Sequence, residues 1–177
     1  MAFPSEPDEA FAEFFESARS RCLRAVVLTV RDRHLGEDLL EEAFVRAYER
    51  WDRLHTHPNP SAWVVTTAVN LSRRRWRRGQ REVELTPPAH DVPAPDEPMD
   101  AVLLDAVLAL PDRQREVVAH RLVLESSTNQ TAEALGISPK TVTVHLHRAL
   151  RTLNSDEGLR NLWSDDGADL GDDLGGG

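Results

Sequence analysis

Between Thr128 and Leu150 the chain carries the spacing of a helix-turn-helix, and this pattern constrains the fold more than any bulk property. Ala132 is a small residue at the point where two helices must cross closely. Gly136 supplies the positive φ of a tight turn, and Val142 is the apolar residue that seats the second helix. Ser138 is suited to cap that helix and Pro139 to its first position. Leu135, Ile137, Leu146, Ala149, Leu150 and Leu153 are the expected core. Lys140, Thr143, Val144, His147 and Arg148 remain for the outer face, which a recognition helix presents to the major groove. The expectation is duplex DNA binding, with Arg148 on a guanine edge or a phosphate and His145 beside the backbone.

The rest of the chain also reads as helix. Phe11, Phe14, Phe15, Ala18, Cys22, Ala25, Val26 and Val30 recur at threes and fours and predict a helix over 9–30. Leu39, Leu40, Ala43, Phe44, Ala47, Tyr48 and Trp51 predict a second over 35–54, with Glu37, Asp38, Glu41 and Glu42 suiting its N-terminal end. Pro58, Asn59 and Pro60 break the pattern. Ser61 is a candidate cap for a third helix over 62–78. Four more helices are expected over 100–110, from Pro111 to 124, over 128–135 and over 139–153. No alternating strand-like run and no internal repeat occurs. The expected fold class is all-α, with two small helical domains and the helix-turn-helix in the second. The boundaries are 9–81, a flexible acidic Pro-rich linker 82–98, a second domain 99–154, and an acidic Gly-rich disordered tail 155–177. Leu159, Leu162 and Trp163 are spaced for a short amphipathic piece within the expected tail.

The net charge of −9 has the wrong sign for a protein that coats DNA, but the charges are segregated. Arg73, Arg74, Arg75, Arg77, Arg78 and Arg81 run without an acid until Glu82, and Lys140, Arg148 and Arg151 have no acid between them. Acids collect in the linker and the tail. Local positive faces attract phosphate whatever the total. The arginine helix also holds Trp63, Asn70 and Trp76, a combination suited to melted or single-stranded nucleic acid, or to a plain solvated helix end.

Other classes fare worse. The 7 histidines include no metal-ligand spacing: His145 and His147 point to different helical faces, and His55 and His57 sit in a Pro loop. No nucleophile elbow surrounds Ser126 and Ser127, so neither an enzyme nor a metal or cofactor site is expected. The single cysteine, Cys22, permits no internal disulfide and reads as a small buried residue. No stretch reaches the roughly 18 apolar residues of a bilayer span, and the N-terminus does not resemble a signal peptide; no membrane insertion and a cytoplasmic location are expected. A stand-alone regulator, binding palindromic operator DNA as a dimer, is the competing function.

Two ordered blocks decide between them. The segments Glu37–Trp51, Pro60–Leu71 with the arginines that follow, Leu108–Val118 and the helix-turn-helix together resemble the extracytoplasmic-function sigma factors of bacteria across roughly residues 9–154. The resemblance implies a non-catalytic subunit that directs RNA polymerase core to promoters. It places Asp38, Leu39, Glu42, Phe44, Arg46 and Trp51 against the β′ clamp helices, with the β flap as a second contact. It assigns His57, Asn59, Ser61, Trp63, Asn70, Arg73, Arg74, Arg77 and Arg78 to the melted −10 element, including capture of a flipped base. The residues of the 140–148 helix read the −35 element, and the linker threads the polymerase. An anti-sigma protein is the expected regulator. Thr143-Val144-His145 depart from the basic or serine-rich run of many members, which implies weaker phosphate contact or a different −35 preference.

Overall fold

The computed structural model describes residues 6–79 and 98–156. All regular structure among them is helical: α1 (Glu6–Val30), α2 (Arg33–Tyr48), α3 (Trp51–Leu54), α4 (Pro60–Gly79), α5 (Pro98–Leu108), α6 (Asp112–Val118), α7 (Thr128–Leu135) and α8 (Pro139–Ser155). A π-helical turn, Ala119–Val123, extends α6. The expected linker and most of the expected tail, 82–97 and 157–177, lie outside the described residues.

Helices α1, α2 and α4 pack on one another. Their crossings are close because the buried positions are small. Ala25, Ala43, Ala47 and Ala68 have no exposed surface, and Cys22 joins them. At Gly36 a Cβ would stand 2.9 Å from Val27 Cγ2, so any side chain there would force the α1–α2 crossing to shift. An aromatic cluster closes one end: Phe14 stacks on Trp51 with centroids 5.0 Å apart, and Phe15 meets Phe44 edge-on at 4.8 Å. Such pairs add about 1 kcal/mol each beyond area burial.

Three local details differ from the sequence reading. The expected 35–54 helix is two helices, broken at Glu49–Arg50. Its start is capped by Asp32, whose carboxylate accepts from Leu35 N at 2.8 Å; Glu37 and Asp38 lie a turn inside. Asn59, not Ser61, caps α4, since Asn59 Oδ1 accepts from Ala62 N at 2.9 Å and Pro60 takes the first helical position.

The C-terminal helices are tied by Arg115, only 2% exposed. Its guanidinium donates to the carbonyls of Leu108 (3.1 Å) and Leu110 (2.6 Å) at the end of α5, and to Asp112 (2.5 Å). It thereby satisfies helix C-terminal acceptors that have no partner within the helix.

The two helical groups are not separate beads. α1 packs on the π-helical turn and on α6, and α4 packs on α7. Ala119 and Leu124 belong to the same apolar core as α1, α2 and α4. Polar bonds span the junction: Asn59 Nδ2 donates to Ser126 Oγ at 2.9 Å, and Arg73 pairs with Glu116.

Candidate nucleic-acid interface

The helix-turn-helix is built as its sequence requires. Ser127 and Gln130 form a reciprocal capping box at α7, with bonds of 3.1 and 2.8 Å. Gly136 holds φ 64° and ψ 37°, the left-handed conformation that ends α7. Ser138 Oγ accepts from Thr141 N at 3.1 Å to cap α8, and Pro139 follows in the first turn. Val117, Ala132 and Val142 form the buried centre, with Leu135, Ile137 and Leu146 packed around it. Ala149 and Leu153 are buried against α5 and α6 instead. Leu150, expected in the core, is 46% exposed: it falls on the outward face one residue past Ala149.

Lys140, Thr143, Val144, His147 and Arg148 are all exposed on one side of α8. Lys140 and Arg148 have no ion-pair partner among the described residues. Thr143 donates to Pro139 O at 3.1 Å and keeps its lone pairs outward. Such a face offers charge, hydroxyl and methyl groups to base edges without first breaking internal bonds.

The N-terminal set is placed differently. Trp63, Asn70 and Arg74 share one side of α4 and line a small cavity of about 180 Å³ with Arg46 and Arg50. Arg77 is exposed; Arg78 lies in α4, with its side chain outside the described residues. His57 Nδ1 accepts from Asn59 N at 3.0 Å, which organises the loop before α4. Ser61 is buried at 6% exposure, and its carbonyl faces the Cys22 thiol at 3.9 Å. It is therefore a packing residue in this structure, not an open contact for DNA. Burial pushes the Cys22 thiol up to about 11 against the bond to Ser61, which leaves it unreactive.

α7 covers much of this surface. His57, Asn59, Trp63 and Asn70 line one wall of a cavity of about 260 Å³, and Gln130 and Glu133 form the other. Arg73 is held by Glu116, whose carboxylate is only 5% exposed and also accepts from Arg113 at 2.8 Å. The Arg73 guanidinium is thus already engaged by a carboxylate in this arrangement. Sequence reasoning missed Glu116, Ser126 and Gln130, because their partners lie 43 to 72 residues away and leave no local periodic signal.

On α2, Leu39 (0%), Phe44 (4%) and Trp51 (7%) are core residues and cannot form a docking surface without unfolding the domain. Glu42 bridges Arg46 (2.7 Å) and Arg75 (2.9 Å). Desolvation raises the Glu42 pKa, but its bonds to Arg75 and Arg46 and their charges together outweigh this, so it is lowered overall. The exposed stripe is Asp38, Glu41, Val45 and Tyr48, with Val45 59% and Tyr48 51% exposed.

Fold and exposed surfaces together define an all-helical DNA-binding transcription protein. The family model for Sigma-70 region 2 matches residues 14–82, and that for Sigma-70, region 4 matches residues 100–153. The RNA polymerase sigma-E factor of Streptomyces coelicolor is 32% identical over 161 residues, covering 86% of this chain and 88% of that protein. The ECF RNA polymerase sigma factor SigW of Bacillus subtilis is 27% identical over 87% and 91%. The sigma factor RpoE of Bartonella quintana, solved in complex with the anti-sigma factor NepR, shares the fold: TM-score 0.69 at 20% identity, covering 88% of this chain and 98% of that one. The chain belongs to the extracytoplasmic-function sigma factors of RNA polymerase, non-enzymatic subunits that direct the core enzyme to promoters. No helix among the described residues is long and apolar enough to cross a membrane.

Proposed function

We propose that this sigma factor reads its promoter with two surfaces that the described conformation leaves unequally available. The outer face of α8, through Lys140, Thr143, Val144, His147 and Arg148, reads the −35 element as duplex. Trp63, Asn70, Arg73, Arg74, Arg77 and Arg78, with His57 and Asn59 in the loop before them, hold the melted −10 strand. The observation that carries the reading is the fully capped helix-turn-helix whose outward residues are exposed while its apolar face is buried.

The −10 surface opens only when α7 leaves α4, so promoter engagement requires separation of the two helical groups. Arg73 then exchanges the Glu116 carboxylate for a phosphate. Polymerase binds through the stripe Asp38, Glu41, Val45 and Tyr48 flanked by Arg46, with Leu39, Phe44 and Trp51 supporting it from inside; the β flap takes the second group. An anti-sigma protein holds the closed arrangement; what supports such a partner is that RpoE, similar in fold, was solved in complex with one. The protein works in the cytoplasm, and catalysis belongs to the polymerase.

The test is Arg148→Ala in reconstituted holoenzyme. Promoter affinity should fall by about 1–3 kcal/mol while assembly with core polymerase is unchanged. Equal loss of both would remove Arg148 from the DNA interface.

A further inference from the structure

An apolar groove of about 740 Å³ runs between α1, α5, the π-helical turn and the end of α8, and shares no lining residue with the two cavities at the proposed −10 surface. Leu28, Val107 and Leu153 form its floor. Leu103 and Leu122 stand on its rim with 42% and 54% of their surface exposed. Contiguous exposed apolar surface of this kind marks a binding face. Its α1 edge is cationic: Arg21 and Arg24 line the groove. Neither has an ion-pair partner among the described residues, and Arg21 Nε is buried without a hydrogen-bond partner.

We infer that this groove is the seat of the chain's own C-terminal segment, residues 157–166. Leu153 is itself a groove residue and α8 ends at Ser155, so the chain leaves α8 beside the opening. Leu159 follows Leu153 by six positions, within a reach of roughly 20 Å even if fully extended. Leu159, Leu162 and Trp163 are spaced to form one apolar helical face, and they are the nearest apolar residues after α8. Asp165 and Asp166 follow after Ser164, and with Glu157 they outweigh Arg160, so the segment's acidic balance complements Arg21 and Arg24. The charge pattern selects an acidic apolar segment, and this chain supplies one at the required place. Because the groove joins α1 to α5 and α8, a seated tail fastens the two helical groups together. Neither Arg73 nor Glu116 lines the groove, and the inference stands independently of how DNA is bound.

Hydrogen exchange on the full chain tests this. In a Leu162→Asp/Trp163→Asp variant, amides of α5 and of 119–123 should exchange about tenfold faster than in the unsubstituted protein. The amides of α4 should be unchanged, which serves as the folding control. Arg21→Glu/Arg24→Glu, which leaves the tail intact, should produce the same loss. A synthetic peptide of residues 156–170 added to the tail variant should restore protection. Identical exchange in all three proteins would overturn the inference. So would protection that appears only as protein concentration rises, which assigns the groove to a second copy, or only on adding a partner protein.

Discussion

Glu116→Gln isolates one of the polar contacts that span the two helical groups, the Arg73–Glu116 pair. The Glu116 carboxylate is 5% exposed and carries two guanidinium partners, Arg73 on α4 and Arg113 on its own helix. Glutamine keeps the shape and one acceptor oxygen but turns an NH₂ toward one arginine. Only the Arg73 bond opposes separation, since Arg113 moves with Glu116. Arg73 is 37% exposed, so water compensates part of its loss and the full penalty of a buried pair does not apply. The expected cost to the closed arrangement is about 1 kcal/mol, roughly a fivefold rise in the open-to-closed ratio. Single-molecule energy transfer reads this ratio directly, with dyes on Ser20→Cys and Thr152→Cys in a Cys22→Ala background. Both sites are exposed, and Cys22 is buried. The unsubstituted protein should also open as salt rises, whereas Glu116→Gln should respond less. Arg113→Gln should shift the ratio little. Superimposable distributions for Glu116→Gln and the unsubstituted protein at low and high salt would refute the reasoning.

Other outcomes follow from the same geometry. Trp51→Ala should destabilise the protein by about 3–5 kcal/mol, because Trp51 is 7% exposed and stacked on Phe14. Tyr48→Ala, by contrast, should cost far less in a thermal melt and instead weaken polymerase binding, since Tyr48 is half exposed where Trp51 is buried, and meets Phe11 edge-on. Gly136→Ala should cost about 1–2 kcal/mol in chemical denaturation, a strain cost set by the φ of 64°, because nothing lies within 4 Å of an added Cβ. Burial lowers the His120 pKa from 6.5 to about 4, in a cavity it shares with Glu116, Arg73 and Glu133. Between those values the unfolded chain takes up a proton that the folded protein refuses. Stability should therefore fall as pH drops from 6.5 toward 4, by about 3 kcal/mol in all. His120→Gln should flatten that slope; parallel pH profiles would contradict the assignment.

Much of this structure was legible in the residues themselves. The helix-turn-helix follows from Ala132, Gly136, Ser138 and Val142 because each solves a local problem of crossing, turning, capping or seating. The helices expected over 9–30 and 62–78 follow from apolar periodicity, and the structure extends them to Glu6–Val30 and Pro60–Gly79. What periodicity does not carry is partnership. Leu39, Phe44 and Trp51 fall within a segment whose resemblance implies docking, yet their apolar spacing is the signature of a core, and the core claims them. Ser61 is the expected cap of α4; Asn59 caps it instead because Pro60 sets the helix to begin one position before Ser61. Ser126 and Glu116 look like surface polar residues until the fold brings Asn59 and Arg73 to them. The closed junction therefore had no local signature, and the sequence alone suggested two independent domains.

The central claim is tested most directly by run-off transcription with purified bacterial core polymerase, with and without this protein, over a library of upstream regions. Specific transcripts that appear only when the protein is present, and that share upstream −35 and −10 sequences, are the predicted result. No protein-dependent transcript, together with protection of a palindromic site by the protein alone, would contradict it and favour a stand-alone dimeric regulator.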